Sequence, residues 1–401
     1  MGADDLSTLV SGVAEVVPDD GLERKLELGR PLRVKLGLDP TAPAVTLGWA
    51  VVLRKLRQFQ DAGHQVVLIV GDFTARVGDP SGRADARHRL SKAEVLEHRD
   101  PLLEQFWMIL DRERTELRHN SEWLEPLDME AILKLTASAT VAQMLERDDF
   151  AERYAQGKPI SIMEFLYPLL QGMDSVAVEA DVELGGTDQK FNLLVGRDLQ
   201  REHGQDPQVA LTMPLLVGTD GVQKMSQSLG NYVAITDPPD EMFGKLSRVP
   251  DELIPDYRRL TLDFFREPVE ADRVAKGLAD GSLDRWMEKR RLAREVVDLY
   301  HGEGAGERAE AEFDRVHKRG DVPDEIASVA IPADLVVDGR VYLPKLLAEL
   351  GLAESASRAR GLIEQGGIRV DGERLEDLDA PVERLRGSVL QVGRRRFVRL
   401  R

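Results

Sequence analysis

An α/β fold built on a doubly wound parallel sheet, followed by a small separate module, is the architecture this sequence predicts. Three observations lead there. Residues 33–39, "RVKLGLD", read as a strand stopped by turn residues, a helix-spaced run follows, and residues 66–70 are an unbroken apolar run. Strand, helix and fully apolar strand in that order make a right-handed crossover unit, and continuous apolar strands belong to sheets covered on both faces. Ligands bind such sheets at the carboxyl ends of the strands, here residues 37–40 and 71–82.

The elements follow in chain order. "TLGWAVVLRKLRQFQDAGH" has apolar residues at helical spacing and closes on Gly63, a stop signal. Residues 90–180 are mostly helical in pattern. "DVELGGTDQKFNLLVGRDLQREHG" is expected to return to a turn and then a helix, and "VALTMPLLVG" is another buried strand. A Gly- and Ser-rich polar loop, "TDGVQKMSQSLGN", comes next, and then a charged helical stretch from 238 to about 318. "RGDVPDEIASVAIPADL" has the composition of a linker. The tail from Val341 reads as two short helices and three short strand segments. No repeat or low-complexity tract is present.

Composition excludes several classes. A chain of 401 residues suits two or three domains. With 42% hydrophobic and 31% charged residues it has the balance of a soluble protein, and no run approaches the roughly 18 apolar residues of a membrane span. The acidic N-terminus lacks signal-peptide order, and its Met-Gly start lacks the residue a myristoylation signal prefers. The absence of cysteine excludes disulfides, a thiol nucleophile and Cys-ligated zinc, and the seven histidines show no metal-ligand spacing. A cytoplasmic protein without a structural metal is expected. The net charge of −17 disfavours nucleic-acid binding over the whole surface. Residues 341–401, however, hold 12 Lys/Arg against 9 Asp/Glu, an asymmetry that fits either a local nucleic-acid contact or a solvated surface.

Eight segments in order carry a family likeness: "KLGLDPTAP", "LRKLRQFQDAGHQVVLIVGDFT", "GDPSGR", "TVAQMLERDDF", "GGTDQKFNLLVGRD", "MPLLVGTDG", "KMSQSLGNY" and "SASRARGLIEQGGIRVDGERL". Together they resemble the bacterial tyrosyl-tRNA synthetases, of class I of the aminoacyl-tRNA synthetases, from about residue 21 to 401. The resemblance implies a Rossmann-type catalytic domain with a helical insertion over residues 1–236. A helical anticodon-side domain would span 237–322, a linker 323–340, and an S4-like α+β RNA-binding module 341–401. It also implies a homodimer that joins tyrosine to ATP, with Mg²⁺ accompanying the nucleotide, and passes the tyrosyl group to tRNA.

By the same resemblance, Tyr167, Gln171 and Asp79 match ammonium-binding positions, and Asp174 matches the carboxylate that meets the phenol. Lys35, Thr74, Asn120 and Gln189 match positions lining the tyrosine pocket. Helical register supports part of this, because Tyr167, Gln171 and Asp174 are spaced i, i+4, i+7. A site that hydrogen-bonds the phenol rejects phenylalanine strongly, since the bare ring leaves a buried polar group unpaired.

The nucleotide side departs from the family pattern. Adenylation builds negative charge on phosphate, so donors aimed at the transition state carry much of the catalysis. Where the family places His-x-Gly-His, this chain reads Thr46-Leu47-Gly48-Trp49; where it places Lys-Met-Ser-Lys-Ser, this chain reads Lys224-Met225-Ser226-Gln227-Ser228. Gly48 is kept, where a side chain would obstruct the adenine. Thr46 and Lys224 are the expected principal phosphate donors, with Arg83 and Arg87 matching cationic positions and Asp85 adding a negative charge. The resemblance further assigns Gly37, Asp39, Gly186, Asp188, Leu216 and Ser228 to ATP, beside Thr46, Gly48, Trp49 and Lys224. At the other end of the chain, Arg358, Arg360 and Arg369 match arginines that S4-like modules present to RNA, and Arg394, Arg395, Arg396 and Arg399 add charge.

One lost donor typically costs about 2.7–4 kcal/mol of transition-state stabilisation. The changed motifs therefore leave three readings open. The chain is a divergent tyrosine–tRNA ligase, a catalytically weak paralogue that binds tyrosine and tRNA as a regulator, or an enzyme activating a tyrosine analogue, with Gly172-Met173 widening the pocket.

Overall fold

The structure, a computed structural model, describes residues 3–81, 90–262, 269–315, 328–353, 355–375, 377–393 and 396–401. Its contacts divide into two compact units, Met1–Glu303 and Gly304–Arg401.

The first unit is built on a six-stranded sheet. In chain order the strands are β1 (Glu15–Val17), β2 (Arg33–Leu38), β3 (Gln65–Val70), β4 (Thr115–His119), β5 (Val182–Gly186) and β6 (Val209–Met213). They lie side by side as β1-β6-β5-β2-β3-β4. Only the β1–β6 pairing is antiparallel. From β2 the chain moves outward to β3 and β4, then returns to add β5 on the other side of β2. That reversal is the doubly wound order, and it opens a crevice at the carboxyl ends of β2 and β5.

Burial explains why these segments are strands. Residues 66–70 of β3 and all of β6 are buried, as expected for strands covered on both faces. β5 corrects the expected turn at "DVELGG": it is a buried inner strand whose Glu183 sits directly opposite Lys35 in the register. β4 also interrupts the stretch expected to be mostly helical.

Two helices frame the crevice. Leu47–Asp61 starts beyond β2, with the Thr46 hydroxyl accepting from the Trp49 backbone N–H at 3.3 Å as its N-cap. Ile162–Ala177 opens with a capping box in which Ser161 and Glu164 satisfy each other's backbone donors. It packs closely on the Lys190–Glu202 helix. A Cβ at Gly172 would stand 2.6 Å from Leu199 Cδ1 and 3.3 Å from the Gly196 Cα. Gly172 therefore permits a helix–helix contact, which corrects the expectation that it widens a pocket. The insertion has its own core of Leu124, Leu135, Met144, Phe150, Leu169 and Leu170.

The second unit holds a five-stranded sheet ordered Glu373–Arg374, Ile368–Val370, Val389–Val392, Arg396–Leu400 and Ser328–Val329. A second sheet pairs Arg340–Tyr342 with Val336–Val337 and Asp379–Pro381. The expected linker stretch thus contributes Ser328–Val329 and Val336–Val337 to these sheets. Helices Leu343–Glu349 and Ala356–Glu364 close a core containing Leu343, Leu346, Ile363, Ile368, Leu390 and Leu400.

Replacing Gly172 by Ala is expected to destabilise the first unit by about 1–3 kcal/mol, because the new methyl overpacks the helix contact. Urea unfolding at unchanged slope reads this directly.

Candidate active site

The crevice is anchored by a buried ion pair. Lys35 on β2 is 0% exposed and Glu183 on β5 is 1% exposed, with Nζ to Oε1 at 2.8 Å. Lys35 also donates to Ser175 Oγ at 2.8 Å and to the Gln171 carbonyl at 3.2 Å. Its three N–H bonds are thereby engaged within the protein. Lys35, expected at the tyrosine pocket, has its contacts to Glu183 and to the helix that carries Gln171 and Asp174.

Asp174, the carboxylate expected at the phenol, is buried. Its carboxylate accepts from Trp123 Nε1 at 2.9 Å and from Asn120 Nδ2 at 3.4 Å. Complete burial pushes its pKa up to about 7, while the Lys35 charge and the two donors act in the opposite direction. Asn120 also donates to Thr74 Oγ1 at 2.9 Å and accepts from the Phe73 N–H, which fixes its amide orientation. An ideal Cβ on Gly37 would lie 4.0 Å from Asp174 Oδ2, so that glycine stands against the same carboxylate.

A second carboxylate, Asp79, expected at the ammonium group, is held by a different set of donors. It accepts from the Ser81 backbone N–H and hydroxyl at 2.9 and 2.7 Å, and from Gln189 Nε2 at 2.9 Å. Gln171 donates through Nε2 to Glu183 at 3.1 Å and accepts at Oε1 from Asn192. Tyr167 donates its hydroxyl to Asp39 Oδ2 at 3.0 Å, while Thr74 donates to Asp39 Oδ1 at 2.7 Å. Asp39, expected at the nucleotide, is thus joined to two residues expected at tyrosine. Gly71 is required here: a Cβ would lie 2.0 Å from Asp39 Oδ1 and 2.4 Å from Thr74 Oγ1.

The loops expected to hold ATP meet at the start of the Leu47–Asp61 helix. Thr46 pairs with Ala234 as an isolated bridge, and the Leu47 N–H donates to the Val233 carbonyl at 2.9 Å. Gly48 faces Met225 and Leu216, with a Cβ 3.5 Å and 3.9 Å from theirs, so the protein itself would tolerate a methyl there. The Trp49 ring lies 6.4 Å from Phe106, half-buried against the Lys92–Phe106 helix. Lys224 pairs with Asp188, and Gln227 donates to the Ala44 carbonyl. Ser226 and Ser228 share a hydroxyl contact of 2.9 Å. A Cβ on Gly186 would lie 2.7 Å from Asp188 Oδ1. Arg83, Arg87 and Asp85 lie outside the described residues.

Arg358, Arg360 and Arg369, in the second unit, are exposed, as are Arg396 and Arg399; Arg394 and Arg395 lie outside the described residues. Arg358 and Arg360 flank the buried Ala359 on one helix. Sequence reasoning missed Trp123, Glu183 and Gly71. A donor three residues beyond Asn120 and an acidic residue inside an otherwise apolar strand were the available signals. Among the described residues, no group of three or more His, Asp or Glu could hold a metal ion, and no helix is long and apolar enough to cross a membrane.

A parallel sheet whose strand order reverses at β2 and β5, with two loops converging at the start of the Leu47–Asp61 helix, defines a class I aminoacyl-tRNA synthetase architecture. The model of the class I tRNA synthetases (W and Y) matches residues 27–318, and the S4 domain model matches residues 343–384. A tyrosine–tRNA ligase of Moorella thermoacetica is 53% identical over 98% of this chain and 95% of its own, and one of Thermotoga maritima is 49% identical over 98% and 96%. The chain belongs to the tyrosine–tRNA ligase family. The fold is shared with a tyrosyl-tRNA synthetase from Archaeoglobus fulgidus solved with L-tyrosine (TM-score 0.64, 22% identity, 76% of this chain and 98% of that one).

Asp174 supplies a pH test. Its raised folded-state pKa means that it favours folding fully below its unfolded pKa of about 4, and that this contribution fades as pH rises through about 7. The change is on the order of 4 kcal/mol. Replacing Trp123 by Phe removes a donor to the charged form, so the Asp174 midpoint is expected to move upward. Carbon-13 NMR of the side-chain carboxyl reads both midpoints.

Proposed function

We propose that this chain activates tyrosine with ATP and transfers the tyrosyl group to tRNA(Tyr). The buried Asp174 carboxylate, held by Trp123 and Asn120, is the observation that carries the reading. It meets the substrate phenol, while Asp79, Gln171 and Tyr167 hold the ammonium group and Thr74, Asn120 and Gln189 line the space. The amino acid carboxylate then attacks the α-phosphate of ATP, the bond to pyrophosphate breaks, and tyrosyl-adenylate forms. In the second step a ribose hydroxyl at the tRNA terminus attacks the tyrosyl carbonyl and AMP leaves.

Gly37, Asp39, Gly48, Trp49, Gly186, Asp188, Leu216 and Ser228 border the nucleotide in this reading. Mg²⁺ arrives with the ATP phosphates as part of the substrate. Lys224 leaves Asp188 to meet the leaving pyrophosphate, Thr46 adds a hydroxyl donor, and Arg83 and Arg87 are assigned to the same charge. Residues 1–236 form the catalytic domain, 237–322 the anticodon side and 341–401 the RNA module, joined in its sheets by the preceding strands Ser328–Val329 and Val336–Val337. The exposed Arg358, Arg360 and Arg369 face the RNA backbone. A cytoplasmic homodimer fits the family and the exposed apolar side chains Met129, Leu133, Val141, Tyr154 and Ile162 on the insertion helices.

A second reading, slow adenylation with a regulatory role, is favoured by the contacts of the altered motifs. The Thr46 hydroxyl caps its helix, Trp49 lies on Phe106 and Gln227 is bound to Ala44.

Tyrosine-dependent exchange of labelled pyrophosphate into ATP separates the two. We expect exchange with tyrosine and none above background with phenylalanine, and Lys224→Ala should lower the rate about 100–1000-fold. Tyrosine binding without any exchange would overturn the ligase reading and leave the regulatory one.

A further inference from the structure

Beside the pocket runs a branched chain of amides whose direction is set from one end. Arg147 precedes the Asp148–Ala155 helix and its side chain is 4% exposed, set between the rings of Phe150 and Phe191. Asp149 accepts from its Nε at 2.8 Å and from Nη2 at 3.0 Å. The remaining contacts point toward the pocket: Nη1 donates to Asn192 Oδ1 at 3.0 Å, and Nη2 to Ser81 Oγ at 2.9 Å.

A guanidinium donates and never accepts. Asn192 must therefore turn its oxygen to Arg147, which directs its NH₂ group the other way. That group donates to Gln171 Oε1 and to Gln189 Oε1, both at 3.0 Å. With their oxygens so occupied, the two glutamines turn their own NH₂ groups to carboxylates, Gln171 to Glu183 at 3.1 Å and Gln189 to Asp79 at 2.9 Å. Each branch begins at a group that only donates and ends at one that only accepts, so no amide can flip without facing like against like. Ser81 completes the circuit. Its hydroxyl accepts from Arg147 and so sends its proton to Asp79 Oδ1 at 2.7 Å.

We propose that Arg147 and Asn192 are positioning residues for the substrate's amino group, orienting the amides of Gln171 and Gln189 and the carboxylate of Asp79. The inference rests on the reading of Asp79 and Gln171, with Tyr167, as the amino-group subsite and of Gln189 as lining it. Neither Arg147 nor Asn192 needs to touch the substrate. They set which atoms face it: the Gln171 oxygen and an Asp79 whose competing donors are already in place. A buried network of this kind is sensitive to a single missing member, because each remaining amide is then free to present the wrong end.

Two ligands that differ only in the amino group test this, L-tyrosine and 3-(4-hydroxyphenyl)propionate, titrated calorimetrically into the full chain. Asn192→Leu removes the relay without changing charge. It is expected to weaken tyrosine at least tenfold while the des-amino acid stays within about twofold, and to raise the KM for tyrosine but not for ATP. Arg147→Met should do the same, whereas Arg147→Lys, still a pure donor, should stay within about threefold of the wild type. Equal loss for both ligands in Asn192→Leu and Arg147→Met would mean simple structural damage and overturn the proposal, as would unchanged tyrosine affinity. A wild type that binds both ligands equally would refute the subsite reading itself, and the inference falls with it.

Discussion

The Lys35–Glu183 ion pair is the constraint on which the rest of the crevice depends. It joins β2 to β5 at the point where the strand order reverses, with both side chains removed from water. Such burial costs several kcal/mol per charge and is offset only when the remaining lone pairs and protons are satisfied. Here they are. Ser175 and Gln208 donate to Glu183, and Lys35 spends its other protons on Ser175 and the Gln171 carbonyl. The pair thus fixes the Ile162–Ala177 helix against the sheet, and through it Gln171 and Asp174. Removing either partner would strand the other charge and release the helix that carries Gln171 and Asp174.

The proposed tyrosine site has two carboxylates in different surroundings. Asp174 is fully buried and sits between its charged and neutral forms near neutral pH, whereas Asp79 is held by a backbone N–H, a hydroxyl and an amide. A ligand with a neutral hydroxyl at one end and a positive group at the other matches that division.

Periodicity showed the outer framework well. The apolar run of β3, the buried β6 and the amphipathic helix after β2 all stand where their patterns indicate, and the i, i+4, i+7 spacing does bring Tyr167, Gln171 and Asp174 to one region. What it hid were features whose cause lies elsewhere in the chain. β5 carries a glutamate and two glycines, a turn-like composition by local rules, and its glutamate makes sense only opposite Lys35. β4 is short, and none of its residues is fully buried. Gly172 looks like a gap until the Lys190–Glu202 helix is set against it. Trp123 is just one aromatic residue in a helical stretch until Asp174 arrives from 51 positions away. In each case the decisive partner is distant in sequence, so no window of neighbouring residues contains the reason.

The Lys224–Asp188 pair bears on how the protein senses its ionic surroundings. In the proposed reaction this lysine exchanges one anionic partner, a carboxylate, for another, a phosphate. Dissolved salt screens both attractions, so for this residue the gain and the loss move together and largely cancel. The lysine that does most for the leaving group would then contribute little to any dependence of nucleotide affinity on ionic strength. A steep salt dependence would have to originate in cations that do not already hold a carboxylate in the resting protein.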